Sequence, residues 1–515
     1  MKLRFNQIFL AASIISLLIT ILWLAYPGQN RRYHLVLTGM GRGRIHPFKA
    51  KFKPYQGKKM GGAAGVASVI KETVASFSGD PFNVFSIGTE ISGTADSYFS
   101  RGASVIQTMN AVGVEAMLPG NIEFSYGRKR LAELSKEAEF GFVSSNIVEK
   151  ESGRTPSWLS SELFFNPGLG LKIGLLGITP PETPNLTARS NIEGLEFLQP
   201  GDVLKSRVDA LKRAGADIVV LLTLFSRDRI SLQEWRLIAS ASPDICVMLD
   251  YEIEPPPSLK KDGVIIQTVS GYNQSKEVDI LDLELTPPPT QIVRFSSRRL
   301  AVNHAEITPD PQVAAVAEKV TRQSRELKDV FVGSFAEDYA RSYASECPIG
   351  NMIADAMLAE SGADIAIQNS GGVHGNIQAG DFTLGDLFSI MPFDNQIVQM
   401  TLSGRDLLDI FSVSASLKRG VLQVANASYT FIYRNDGDFV LKSLLVAGEP
   451  VVAEKDYAVC TNNFLAEGGD NFISFRKGRN VQFGRQQRDV IREYIVNKAQ
   501  NGPVTLKTEG RIVRE

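Results

Sequence analysis

The sequence predicts a two-part α/β protein, a layered β-sandwich flanked by helices followed by a second, separate α/β domain. Three observations point there. With 515 residues, 43% of them hydrophobic, the chain can fill more than one full core. Short apolar runs alternate with amphipathic ones up to residue 285, the pattern of strands and helices stacked in layers. Pro287-Pro288-Pro289 and a long charged stretch then separate this region from a second run of strand and helix signals. The expected division is an N-terminal segment 1–30, a first domain 31–290, a linker with a helix 291–329 and a second domain 330–515.

Lys2 and Arg4 precede an apolar run from Ile8 to Tyr26, and Arg31 and Arg32 follow it. The run approaches the ~20 residues of a helical membrane span, and no Ala-x-Ala cleavage signal closes it. A signal anchor with the body outside the cytoplasm is expected, with a cleaved and secreted form as the alternative. A net charge of −1 supplies no positive field for nucleic acid. The three cysteines, Cys246, Cys347 and Cys460, have no metal-site spacing and exclude a disulfide framework, leaving room for one bridge. There are four histidines, His34, His46, His304 and His374.

In order along the first domain, 33–38, 82–87, 142–147, 171–178, 217–222 and 278–285 read as strands. The stretches 64–77, 103–114, 131–139 and 203–214 read as helices. His46, in a loop beside Pro47, reads as a surface histidine. The region 313–326 reads as a charged helix between the domains. In the second domain, 352–361 is helical with Gly362 as its stop signal, and 363–367 is a strand.

Gly120-Asn121-Ile122-Glu123-Phe124-Ser125-Tyr126-Gly127 resembles the Gly-Asn-His-Glu-Phe-Asp-Tyr-Gly signature of the 5'-nucleotidase branch of the metallophosphoesterases. In that family the Asn binds one of two metal ions, and the following His contacts phosphate and assists catalysis. Asn121 matches, but the catalytic histidine position is Ile122, which can neither carry charge nor donate a proton. Laid on the family's remaining metal motifs, Met40, Arg42, Thr89, Thr223, Asp250 and Glu252 stand where Asp and His ligands belong. Glu90, next to Thr89, is expected to point to the opposite face. A dinuclear centre needs imidazoles and a bridging carboxylate to hold its ions and acidify a water. The resemblance therefore implies a degenerate metal site with no confident catalytic residue and no cofactor expected. A residual divalent-metal reading keeps Asn121, Asp250 and Glu252 as oxygen donors suited to Ca²⁺ or Mg²⁺, against the alternative of a solvated loop before Pro255.

The second domain carries the fuller resemblance, to a 5'-nucleotidase C-terminal domain. Asn369-Ser370-Gly371-Gly372-Val373-His374 resembles Asn-Gly-Gly-Gly-Ile-Arg, Met391-Pro392-Phe393-Asp394-Asn395 corresponds to Pro-Phe-Gly-Asn, and Phe464-Leu465-Ala466-Glu467-Gly468-Gly469-Asp470 matches Phe-Leu-x-x-Gly-Gly-Asp. By that resemblance Phe393 and Phe464 sandwich a nucleobase, Asp470 accepts from ribose hydroxyls, and Asn369 and Asn395 contact the nucleoside. Their alternative role is purely architectural. On the phosphate side the family's arginine is His374, a candidate filler, and Arg341 is a nearby cation of uncertain register. The expected partners are a nucleoside or nucleotide and, through the N-terminal helix, a membrane. The function expected is a membrane-anchored, extracytoplasmic 5'-nucleotidase homologue that has lost catalysis. The alternatives are a phosphohydrolase with a reorganised metal site and a non-enzymatic envelope interaction protein.

Overall fold

The protein is described by a computed structural model over residues 30–50, 54–187, 189–252, 258–393, 395–417, 420–433 and 439–515. The expected anchor and the 255–257 loop lie outside these residues. Among the described residues no helix is long and apolar enough to cross a membrane.

The first half is a sandwich of two six-stranded sheets. One sheet runs Ile292–Ala301, Glu277–Leu285, Arg31–Thr38, Phe82–Ser86, Ala116–Met117 and Gly141–Phe142. The other runs Ser258–Lys261, Val264–Ser270, Ile245–Asp250, Ile218–Ser226, Leu171–Ile178 and Glu162–Gly168. The alternation of a β-strand explains the layering. In Arg31–Thr38, Tyr33, Leu35 and Leu37 fill the space between the sheets with Phe85, Leu175, Leu222 and Val247. Val36 faces the other way, onto the helices Ala63–Ser76 and Ala103–Val112.

Three expectations change here. The strand expected over 142–147 is interrupted, pairing as Gly141–Phe142 and again as Ile147–Glu149. The break comes from Asn146, whose buried side chain takes ladder bonds from backbone: Oδ1 accepts from Thr179 N at 2.9 Å, and Nδ2 donates to Thr179 O and Leu198 O. The prolines at 287–289 turn the chain without ending the sheet. Ile292–Ala301 pairs antiparallel with Glu277–Leu285, so the stretch 291–329 is not simply a linker. Its helix, Pro311–Lys328, is capped by Asp310 (Oδ1 to Val313 N, 2.8 Å) and lays Val313, Ala317, Thr321 and Ser324 inward. His46 is half-buried against this helix, its Nε2 2.9 Å from Thr321 Oγ1, and is not the surface histidine expected.

The second half holds a five-stranded sheet in the order Leu422–Ala425, Ile365–Asn369, Asp456–Asn462, Gln396–Ser403, Arg479–Gln486. Helix Pro348–Ser361 lies on one face and Gly404–Ala415 on the other. The first of these ends at Gly362 with φ 61°, a left-handed cap that glycine adopts without strain. All three cysteines are buried and free, so no bridge forms.

An aromatic seam joins the halves. Tyr98 and Phe99 of the first meet Phe388 of the second at centroid distances of 4.3 and 4.8 Å. The Arg488 guanidinium sits 4.0 Å from the Tyr98 ring and 4.1 Å from that of Phe388, and Lys328 Nζ reaches Asp96 Oδ1 at 2.7 Å.

Candidate functional site

A cavity of about 620 Å³ opens between the halves. Its lining comes largely from the carboxyl ends of strands, where layered α/β sheets place their ligand sites. From the first half come Met40, Arg42, Thr89, Asn121, Ile122 and Tyr251; from the second, Asn369, His374, Phe393, Asn395, Phe464 and Asp470.

The first wall keeps a tightly specified backbone. Met40 N donates to Gly88 O at 2.8 Å and Arg42 N to Thr89 O at 2.9 Å, zipping the first loop onto the second. Met40, Arg42 and Thr89 all lie in the left-handed region, with φ 58°, 51° and 60°. Side chains with a Cβ tolerate this only where surrounding bonds impose it. Glu123 supplies the one at Thr89 and fixes the backbone around it. Its fully buried carboxylate accepts from Glu90 N (2.7 Å), Gly120 N (2.8 Å), Thr89 N (3.1 Å) and Ile91 N (3.4 Å). Glu90 is also buried, accepting from Gly41 N and Ser86 Oγ, so it faces inward and not toward the cavity. Burial first, and Glu123 in addition, push its carboxyl up to about 7.

The side chains of this wall do not fit two dications. Met40 is packed in the inter-sheet core, and Arg42 is a cation. Thr223 Oγ1 is buried and donates to Val247 O at 3.2 Å. Asp250 and Glu252 correct the oxygen-donor expectation. Both are ion-paired to Arg227, Asp250 through Nε and Glu252 through Nη2 at 2.9 Å, and neither lines the cavity beside Asn121. Asn121 does face it, with Nδ2 3.4 Å from Leu186 O. Among the described residues no group of three or more His, Cys, Asp or Glu is arranged to hold a metal ion.

The second wall brings all five expected nucleoside contacts to one surface. Asn369 Nδ2 donates to Asp470 Oδ2 at 2.9 Å, while Asn369 Oδ1 accepts from Asn462 Nδ2 at 3.2 Å. Asp470 occupies a left-handed position, φ 54°, in the turn that follows Phe464. A Cβ on Gly469 would stand 2.5 Å from the Phe464 ring, so the turn can close on that ring only with glycine there. Arg488 Nη1 donates to Met391 O at 2.7 Å and Phe393 O at 2.5 Å, fixing the other aromatic. His374 stands edge-on to Phe393, centroids 4.9 Å apart at 83°. Burial, then Arg42 and Arg341, drive its pKa down to about 3. It is a neutral prop for Phe393 and cannot replace an arginine's charge. Arg341 turns its Nη1 onto Val373 O at 2.8 Å.

Arg488 and Glu123 are positioning residues the motif reading did not single out. Glu123 was legible as a member of the Gly-Asn-Ile-Glu-Phe stretch, whereas Arg488 announces itself only through contacts distant in sequence.

Residues 326–477 match the family model of the 5'-nucleotidase C-terminal domain. The chain is 23% identical over 429 residues to Endonuclease YhcR of Bacillus subtilis, covering 79% of this chain and 34% of that protein. It is 26% identical over 468 residues to the cell wall protein Lmo0130 of Listeria monocytogenes, covering 79% of this chain and 59% of the relative. The chain thus spans a third to three-fifths of these curated relatives. In fold it is similar to the 5'-nucleotidase precursor of Thermus thermophilus, with a TM-score of 0.80, 22% identity and coverage of 94% and 99% of the two chains. Residues 326–477 are thus a 5'-nucleotidase C-terminal domain, set within a two-part fold that the whole chain shares with the Thermus 5'-nucleotidase precursor.

Proposed function

We propose that this chain is an extracytoplasmic, amino-terminally anchored protein that binds a nucleoside or nucleotide and does not hydrolyse phosphate esters. One observation carries the reading. A single cavity joins an aromatic, amide and carboxylate wall to a wall whose expected metal positions hold Met40, Arg42 and Thr89 and whose expected catalytic position holds Ile122. The aromatic wall has what a base and a ribose need, namely two phenyl rings and a hydrogen-bonded Asn369–Asp470 pair. The opposite wall lacks the donors that activate a metal-bound water. Fold likeness alone would suggest hydrolysis, but chemistry follows the site. The placement outside the cytoplasm rests on Lys2, Arg4 and the apolar run that follows them, in keeping with the cell-wall designation of the Listeria relative.

The test is a calorimetric titration of the soluble body, from Arg31 onward, with adenosine and with AMP in the presence of Mn²⁺, assaying released phosphate in the same samples. Saturable binding that Phe464→Ala weakens, with no phosphate released, is the expected result. Turnover of AMP would overturn the proposal. Fractionation of cells expressing the full chain should place it in the membrane, and deletion of residues 1–30 should release it.

A further inference from the structure

Among the described residues, Arg42 is a cation of the first wall that has no counter-charge. Its guanidinium lines the cavity, and among the described residues it makes neither an ion pair nor a hydrogen bond. Desolvation lowers its pKa, and Arg341 adds repulsion, while the Tyr251 hydroxyl is the group that offsets it. A second guanidinium, Arg101, lies on the same lining. The carboxylates there are Glu182, which is exposed, and Asp470, which Asn369 engages on the opposite wall. A half-buried charge with no partner is unfavourable by itself, because it has given up water without gaining a counter-ion. The left-handed backbone at Arg42 adds to that disadvantage.

The position explains what could offset it. Arg42 sits on the loop zipped to 88–90, so its head is presented from a rigid support. It projects from a position where the metallophosphoesterase resemblance implies a metal ligand, into the cavity that also carries the nucleoside wall. A planar guanidinium there can meet two oxygens of a tetrahedral oxyanion side by side.

We infer that Arg42 forms a metal-independent binding site for a phosphate group, its guanidinium taking the charge-neutralising place of the metal ions. The ligand class is a phosphate monoester or inorganic phosphate, bound and not cleaved. For the nucleoside part of such a ligand the inference rests on the function proposed above; the phosphate site stands on Arg42 itself.

Titrations in EDTA separate the two. With wild-type protein, AMP should bind about tenfold or more tightly than adenosine, the gain of charge-assisted hydrogen bonds. In Arg42→Gln that preference should vanish while adenosine affinity stays as it was. Arg42→Lys should recover part of it, since a point charge lacks the fork. Inorganic phosphate, titrated alone, should compete with AMP in the wild type and fail to bind Arg42→Gln. Equal affinity for AMP and adenosine in wild type, an AMP preference that survives in Arg42→Gln, or one that appears only with Mn²⁺ would each overturn the inference. If adenosine fails to bind yet phosphate binds through Arg42, the nucleoside reading falls and the phosphate site stands. Circular dichroism on each variant checks the fold, which should hold because Arg42's side chain bonds to no described neighbour.

Discussion

The two walls of the cavity are built alike and equipped differently. Each is a set of turns at strand ends with left-handed residues tied down by buried carboxylate or amide groups: Glu123 bonds Thr89 N in the loop onto which Met40 and Arg42 are zipped, and Asn369 bonds the Asp470 carboxylate. On the second wall that framework presents aromatic, amide and acidic side chains expected of a nucleoside site. On the first it presents a thioether, a guanidinium and a hydroxyl where metal ligands are expected, and an aliphatic chain where the catalytic histidine is expected. A preserved backbone is therefore no guide to preserved chemistry. Framework and side chains answer to different constraints, the first to the packing of the whole sandwich and the second to whatever occupies the cavity.

The comparison breaks first if the frameworks are not what hold the walls. Glu123→Ala removes an acceptor shared by four backbone N–H groups in the interior and should lower unfolding stability by about 3 kcal/mol, read from urea denaturation. A change within the error of the method would mean that the first wall's loops hold themselves. Smaller is the effect of Phe464→Ala on the second wall, where loss of one stacking face should weaken adenosine binding by about 1–3 kcal/mol in a titration. An unchanged affinity would turn the aromatic pair back into fold architecture.

The walls should also titrate in opposite directions. Glu90, raised to about 7 from an ordinary 4.5, favours the folded state when protonated, so its contribution is full below pH 4.5 and is lost as pH rises toward 7. His374, lowered to about 3 from 6.5, favours the folded state when neutral, so its contribution is full above pH 6.5 and is lost as pH falls toward 3. Glu90→Gln should accordingly gain on the wild type between pH 4.5 and 7, and His374→Gln should gain between pH 6.5 and 3. Unfolding midpoints measured across pH check both slopes; parallel curves for variant and parent would remove the assigned burial.

Much of this was legible in the residues. Short apolar runs placed several of the sandwich strands, and Gly362 ended its helix as expected. The five nucleoside-wall residues, identified by motif, converge on one surface. What sequence reasoning missed has a common cause, namely partners that lie far apart along the chain. Asp250 and Glu252 look like free oxygen donors until Arg227, 23 residues before Asp250, is seen to hold both. His46 looked exposed because nothing local foretells Thr321. The break at Asn146 was hidden because its partners, Thr179 and Leu198, lie just past the ends of strands far along the chain. Three prolines suggest an end, yet the next strand's register with Glu277–Leu285 is a tertiary fact. Arg42 reads at first as a lost ligand. Its meaning as a charge without a counter-ion needs the cavity around it.

The sharpest form of the comparison is a substitution that should improve stability while removing function. Arg42 is held at φ 51° with a half-buried, unpaired guanidinium. Arg42→Gly relieves the left-handed strain and removes the desolvated charge, while the added freedom of glycine in the unfolded chain works against the gain. The net expectation is about 1 kcal/mol of added stability in denaturant unfolding, alongside loss of the phosphate preference in EDTA. The matching change on the second wall, Asp470→Gly, relieves φ 54° but also strips Asn369 of its acceptor, so it should gain less or lose. If Arg42→Gly is instead destabilising, the guanidinium is already contributing to the fold of the free protein. The first wall would then be an architectural remnant and not a site waiting for an anion.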